Sequence, residues 1–548
     1  MKTIMNMLLT GLLCCVIGTT ATSCSDVDIT GDPVRDWQET ADRYESNEEN
    51  ENGFSTFFTP TLGRVGDPMP FYDQKAGEFK VLYLQDFDVN GTYRFHPYWG
   101  VATTDGCNYR TLGEVFPYGE SDYQQDAALG TGCCYYNEQE GLYYIYYTGE
   151  SAFSKYHQVV MRATSPDFKT WTKDEMWLLI GSDYGYWDDN FRDPQIFKAD
   201  DGLYRMIISS APKEGKPLFA EFKSSDLKNW EHVGSFKMVY NDRMCECPDV
   251  FKMGEWWYMV VSEQPAYSRQ VKYVKANSWE NLKNQFDPPQ WIHGDENDSK
   301  LDSRAFFAGK TASNGTDRFI WGWCPYRRGS GIDAKNIEVK SDAEPAWGGA
   351  LVCHKILQHE DGSLSLTAVP ALANKYSKTQ QISVMASNGY SNGQLSGDDA
   401  YVLYSRLGDC NHISFTVTTS NNWDKFGVSL VRGTDANYYY TMVINPESEN
   451  KRKVNFEQEG YIIKKNDNGE EEKVYGQGFV AGIDSYMFPR PADNTYKIDI
   501  YTDNNVVVMY INDNVCYTQR IYGVRKNCWS INSYGGDITI SDVNVSWQ

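Results

Sequence analysis

From about residue 56 the chain is written in short apolar runs rich in Tyr, Phe, Trp, Val and Ile, each bounded by Gly, Asn or Asp. That pattern predicts β-strands and turns, and helical periodicity is scarce. One unit recurs, a strand, a turn and a second strand. It spans Phe71–Gln85, Cys133–Gly149, Gln195–Ser209, Val250–Ser262 and Phe306–Trp323. The repeat is roughly 55–60 residues, the length of a propeller blade rather than of a helical array. Second halves of the units also rhyme, as in TSPDFKTW (Thr164–Trp171) and SSDLKNW (Ser224–Trp230). The expected fold is all-β: a five-bladed β-propeller over residues 56–370, each blade a small antiparallel sheet. Past residue 370 the rhythm changes. Ile413–Thr419, Phe426–Val431 and Tyr438–Ile444 alternate as half-buried strands. Tyr496–Tyr522 reads as three strands joined by tight turns at Asp503-Asn504-Asn505 and Asn512-Asp513-Asn514. This predicts a C-terminal β-sandwich over 371–548.

The first residues follow a different logic. Lys2 and the apolar run Met5–Ile17, too short to span a bilayer, form an export signal over residues 1–23. Small residues lead to Cys24, which resembles the lipidated cysteine of a bacterial lipoprotein, although Ala21 stands where Leu is usual. Ser25-Asp26-Val27-Asp28 resembles the surface-export signal of Bacteroidetes lipoproteins. Residues 24–55, rich in Glu around Glu45–Glu51, read as an acidic tether. The expected location is the cell envelope, on the outer-membrane surface or in the periplasm, with the membrane as partner through a lipid at Cys24.

A formal charge of −23 argues against nucleic acid as a partner and suits a neutral ligand. Aromatic residues make up 15% of the chain, which serves a β core and also provides platforms for sugar rings. Thirteen Cys include Cys14, Cys15 and Cys24; the remainder lack the paired Cys/His spacing of a zinc site and read as buried thiols. No nucleotide-binding glycine loop is present, so neither a metal nor a cofactor is expected.

Equivalent positions on the inner strands of a propeller converge on its central channel. Acidic residues recur at the blade entrances: Asp67 in VGDP, Asp126 in QQDAALGTG, Asp193 in FRDP and Glu246 in CECPD. Three are followed closely by Pro68, Pro194 or Pro248, which fixes φ and holds a carboxylate at the strand start. Carboxyls crowded into one funnel repel, so their pKa values separate and an acid and a base coexist. Glycoside cleavage uses such an arrangement. A lone Asp-Pro would be only a turn terminator; three acid-Pro motifs in phase with a repeat argue for chemistry.

These motifs resemble glycoside hydrolase family 32, the invertase, levanase and inulinase group of β-fructosidases. FRDPQIF (Phe191–Phe197) is similar to its Arg-Asp-Pro motif and CECPDVF (Cys245–Phe251) to its Glu-Cys-Pro motif. VGDPMPFYD with LYLQ, ending at Gln85, is similar to its first motif. ALGTGCC (Ala128–Cys134) stands where the family has Phe-Ser-Gly-Ser. The resemblance implies a retaining hydrolase of fructans or sucrose-type oligosaccharides, with Asp67 as nucleophile, Glu246 as general acid and base, and Asp193 as an ionised stabiliser. Arg192, Gln85, Trp99 and Asp126 become candidate sugar contacts. The first motif departs from the family: Gly66 replaces an Asn, and Met69-Pro70 replace Asn-Gly, so the sugar-binding floor should be reshaped. Lys355 stands where an Arg is usual. Two other readings keep the fold: a sister-family enzyme acting on arabinose- or xylose-containing glycans, and a surface glycan-binding protein that has lost catalysis.

Overall fold

The computed structural model describes residues 56–60, 63–86, 96–238, 244–264, 269–286, 288–327, 345–432, 438–465, 469–475, 478–479, 485–525 and 527–548. The leader, Cys24 and the tether lie outside the described residues. The repeated units form antiparallel hairpins and sheets in chain order. The first sheet is β1 (Arg64–Asp73), β2 (Glu78–Asp86), β3 (Tyr98–Thr103) and β4 (Arg110–Phe116). The second is β5 (Ala128–Asn137), β6 (Leu142–Glu150), β7 (Gln158–Ser165) and β8 (Thr172–Lys173). The third is β9 (Tyr186–Lys198), β10 (Tyr204–Pro212), β11 (Leu218–Ser224) and β12 (Glu231–Lys237). Then come β13 (Cys245–Met253), β14 (Trp256–Glu263) and β15 (Gln270–Ala276), followed by β16 (Phe307–Ser313), β17 (Arg318–Arg327) and β18 (Pro345–Gln358). Val65 of β1 pairs with Gly349 of β18, which stitches the end of the propeller to its beginning.

The rhyme between the second and third units is a shared turn. Asp167 accepts the backbone N–H groups of Lys169 and Thr170, and Asp226 accepts those of Lys228 and Asn229. Phe168 and Leu227, both at φ 62°, make the left-handed step and are buried. These hydrogen bonds hold the Asp167 carboxyl down at about 2.

Every inner strand carries a bulge near its start. Pairing slips between Val65 and Pro68 on β1, Gly130 and Gly132 on β5, Arg192 and Gln195 on β9, Glu246 and Asp249 on β13, and Phe307 and Lys310 on β16. A bulge re-aims the side chains it contains. Here it turns Asp67, Thr131, Asp193 and Glu246-Cys247 together. Asp126 is not in phase with them, against the expectation from its motif: it precedes β5, where Lys173 (2.6 Å) and the Tyr147 hydroxyl (3.2 Å) hold it. The in-phase residue of that unit is Thr131.

The C-terminal half is a sandwich of two sheets. One carries Cys410–Thr419, Thr495–Asp503, Val506–Ile511, Val515–Arg520 and Ile538–Trp547; the other carries Ala400–Tyr404, Phe426–Arg432, Tyr438–Pro446, Lys451–Lys465 and Cys528–Ser533. The turns fall at the expected Asn and Asp residues, with Asn504, Asn512 and Asp513 at positive φ. The strand Val506–Ile511 shows why the halves dock. Val507, Met509 and Ile511 enter the sandwich core, while Val506, Val508 and Tyr510 face a core shared with Phe319, Trp321 and Leu351 of the propeller. A period of two serves two cores at once.

A buried polar pin crosses this contact. Asp302 accepts from the Thr518 N–H (2.8 Å) and hydroxyl (2.5 Å) and pairs with His354 (3.2 Å), whose Nδ1 meets the Tyr510 hydroxyl at 2.8 Å. Cys516 joins them, but its sulfur lies 3.6 and 3.7 Å from the two ring nitrogens. That places it beside the ring rather than along a nitrogen lone pair, an arrangement for hydrogen bonding rather than metal ligation. The ten cysteines from Cys107 to Cys528 are all free thiols.

Candidate active site

The three carboxyls singled out from the sequence meet in one enclosed cluster. Asp67, Asp193 and Glu246 each have 0% exposure. Asp67 is fixed by neutral donors: the Trp323 indole N–H gives 2.8 Å to Oδ1, and the Thr131 hydroxyl gives 2.8 Å to Oδ2. Glu246 is fixed by charge, with Arg192 reaching Oε1 through Nη2 (2.9 Å) and Nε (3.3 Å). Arg192 also donates from Nη1 to Asn190 Oδ1 at 3.1 Å.

Cys247 links the cluster. Its N–H donates to Asp193 Oδ2 at 2.9 Å, and its thiol points at Asp67 Oδ2 at 3.7 Å. Burial, helped by the three carboxyls, pushes the Cys247 thiol well above its ordinary value, so it stays protonated and can donate. Asp193 (φ 59°) and Cys247 (φ 49°) both hold left-handed backbone conformations, uncommon for residues with a Cβ. Such local strain is tolerated where it aims functional groups. The Asp193 N–H is satisfied by the Thr148 hydroxyl at 3.0 Å, yet its Oδ1 is buried without a hydrogen-bond partner.

Burial is the largest influence on the Asp193 carboxyl and pushes it up to about 7; Arg192 opposes the rise, while Glu246 and Asp67 add to it. This differs from the expectation of a permanently ionised Asp193. Near neutral pH Asp193 therefore carries a proton part of the time, because negative charge crowded into one enclosed space is unfavourable.

The secondary candidates separate. Arg192 belongs to the cluster. Gln85 sits on β2 opposite Val65, two residues from Asp67 in the register, and packs beside Gly63. Trp99 sits on β3, in register with Glu114 of β4. Lys355 lies away from the cluster, on β18, paired with Asp317 at 2.7 Å. The altered first motif has a physical cause: a Cβ at Gly66 would come within 2.3 Å of the Trp347 indole, which occupies the space a larger side chain would need. Trp347 in turn stacks on His96 with centroids 4.7 Å apart. Four contributors escaped the sequence reading: Thr131, Thr148, Cys247 and Trp323. Two of them, Thr131 and Cys247, lie inside motifs already flagged; Trp323 closes the fifth repeat, and only three-dimensional closure brings it to Asp67.

Residues 57–370 match the glycosyl hydrolases family 32 N-terminal domain, and residues 362–545 match the "GH32, BT1760-like, C-terminal domain". The chain belongs to glycoside hydrolase family 32. Family 32 is thus its placement rather than the sister family of arabinose- and xylose-acting enzymes. A sucrose-6-phosphate hydrolase of Vibrio alginolyticus is 24% identical over 221 residues, covering 39% of this chain and 43% of that relative. An invertase of Debaryomyces hansenii is 25% identical over 207 residues, covering 36% of this chain and 37% of its own length. The chain therefore spans less than half the length of these curated relatives. Whole-chain likeness is seen in solved structures. A GH32 beta-fructofuranosidase of Bombyx mori superposes with a TM-score of 0.65 at 16% identity, covering 93% of this chain and 97% of that one. Fructan 1-exohydrolase IIa of Cichorium intybus superposes with a TM-score of 0.64 at 14% identity, covering 91% and 98%. Family 32 members with this fold share the propeller and sandwich described above.

Proposed function

We propose that this family 32 chain hydrolyses β-fructosidic bonds of unphosphorylated fructans or sucrose-type oligosaccharides, with retention of configuration. The observation that carries the reading is the enclosed cluster of Asp67, Asp193 and Glu246 around Cys247, with Asp193 Oδ1 left without a partner. A buried acceptor with no donor is an unfavourable arrangement, and a sugar hydroxyl is a donor of the right kind. Asp67 attacks the anomeric carbon while Glu246 gives its proton to the departing oxygen. Water then attacks the fructosyl–Asp67 ester, giving its proton to Glu246, and free Asp67 is restored. Asp193 binds sugar hydroxyls and stabilises positive charge developing on the ring. The Bombyx mori enzyme is solved with sucrose and the Cichorium intybus enzyme with 1-kestose, which supports an oligosaccharide substrate. A formal charge of −23 disfavours a phosphorylated sugar. Reducing-sugar release from levan, inulin, 1-kestose and sucrose tests the reading. Release from at least one of them is expected, and folded protein that releases nothing from any would contradict it.

The same reading extends to location. The export signal, Cys24 and the acidic residues after it support a lipid-anchored protein of the cell envelope, on the outer-membrane surface or in the periplasm. Cys24→Ala is expected to move the protein from the membrane pellet to the soluble fraction; an unchanged pellet would remove the anchor from the account.

A further inference from the structure

The slips in pairing on the inner strands set a second layer of positions. The first residues to pair after each slip are Pro68, Gly132, Gln195, Asp249 and Lys310, one step further along the strands than the carboxyl cluster. Groups of this layer join across strands. The Gln195 amide donates to Asp249 Oδ1 at 3.1 Å, and the Thr311 N–H (2.9 Å) and hydroxyl (2.6 Å) donate to Oδ2. Lys310 crosses from β16 to β5, where its Nζ donates to the Gly132 carbonyl at 3.1 Å. Its side chain is buried, and this acceptor is neutral. A buried ammonium has lost its hydration and is favourable only where negative charge stands nearby.

The layer is tied to the nucleophile. Gly132 is clamped on both sides, since its N–H meets the Met69 sulfur at 3.1 Å while its carbonyl meets Lys310. Met69, one of the departures in the first motif, is thus half of the clamp. The preceding residue, Thr131, gives its hydroxyl to Asp67, and its carbonyl accepts from the Thr148 hydroxyl at 2.9 Å. The same Thr148 oxygen takes the Asp193 N–H. Fixing Gly132 therefore fixes the segment that orients Asp67 and braces Asp193.

The surrounding groups supply the charge that Lys310 needs. Burial pushes the Asp249 carboxyl up, and the Thr311 hydroxyl and Lys310 pull it back. Burial also raises the Cys247 thiol, the three cluster carboxyls add to the rise, and Lys310 opposes it. Cys133 on β5 is pushed up to about 11 by burial, and burial holds Arg318 on β17 at about 10. Neither of them changes charge near neutral pH, so the carboxyls are what titrate beside Lys310. We propose that Lys310 is a positioning residue for the reaction, fixing Asp67 through Gly132 and Thr131 and balancing the charge of the carboxyl cluster with its ammonium. The inference rests on the fructosidase reading.

Two variants separate charge from hydrogen bonding. Lys310→Gln keeps an N–H for Gly132 and loses the charge, whereas Lys310→Met loses both. In each, the bell-shaped pH profile of kcat/KM should move up by about one pH unit, because carboxyls deprived of a nearby cation hold their protons more tightly. At its own optimum Lys310→Gln should keep kcat within about threefold of wild type, while Lys310→Met should lose about tenfold in kcat with KM little changed. A second readout needs no turnover. The melting temperature of wild type minus that of Lys310→Gln should widen as the pH rises from about 5 to about 8, because the ammonium stabilises more as the carboxyls ionise. A difference that is the same at every pH, with an unmoved pH profile, would make Lys310 purely structural and overturn the inference while leaving the hydrolase reading intact. Failure of both variants to fold would also assign Lys310 to folding and overturn it. A wild type that hydrolyses nothing defeats the fructosidase reading; a widening difference would then still support the charge balance, and a constant one would overturn it.

Discussion

Glu246→Gln is expected to lower kcat by about 10²–10⁴-fold, the usual contribution of a positioned general acid and base. The substitution is nearly isosteric. Its amide oxygen can still accept from Arg192, which now lies 2.9 Å from Glu246 Oε1, so the cluster should keep its shape. What disappears is the transferable proton. Sugar binding should therefore survive, and the loss should fall on kcat rather than on affinity. Steady-state kinetics together with direct binding distinguish this outcome. Parallel loss of binding would mean that Glu246 holds the site together structurally, and full activity would remove it from the chemistry.

Asp193→Asn should abolish most activity while making the protein more stable above neutral pH. The sign follows from the raised carboxyl. Its folded-state pKa is about 7 against an ordinary 3.8. The stability of the acid form is present at pH 4 and is lost as the pH rises through 7, when a proton must leave an enclosed, negatively charged space. Asn never carries that charge. The stability difference between variant and wild type should be small at pH 4 and grow to about 2–4 kcal/mol by pH 8, from the roughly 1.4 kcal/mol per pH unit of linkage. Chemical unfolding across this range measures it. A variant equally or less stable at every pH would show that Asp193 is held ionised by its surroundings.

That contrast shows where sequence reading reached and where it stopped. The hairpin repeat, the sandwich after residue 370 and the tight turns at Asn504 and Asn512 were legible, because strand alternation and turn chemistry are local. So was the trio of carboxyls, because an acid followed by Pro recurs in phase with the repeat. Asp126 misled, since phase counted from a motif does not see a bulge; the bulge on β5 puts Thr131 in register with Asp67, and Lys173 takes up Asp126. Trp323 could not be found locally: it lies 256 residues from Asp67 and reaches it only because β18 pairs with β1. The dual role of the strand Val506–Ile511 was hidden for a related reason. A strand that is apolar on both faces looks like any buried strand until it is known that two cores exist. Gly66 was legible as a departure, but its cause, the Trp347 indole pressed against it, is a contact between distant parts of the chain.

The most direct test of the central claim traps the reaction on the enzyme. Glu246→Gln is incubated with a fructoside that carries a good leaving group, then digested and analysed by mass spectrometry. The account predicts a single fructosyl adduct on the peptide containing Asp67, and its absence when Asp67 is replaced by Asn. An adduct on any other carboxyl, or product of inverted configuration with no adduct at all, would contradict it.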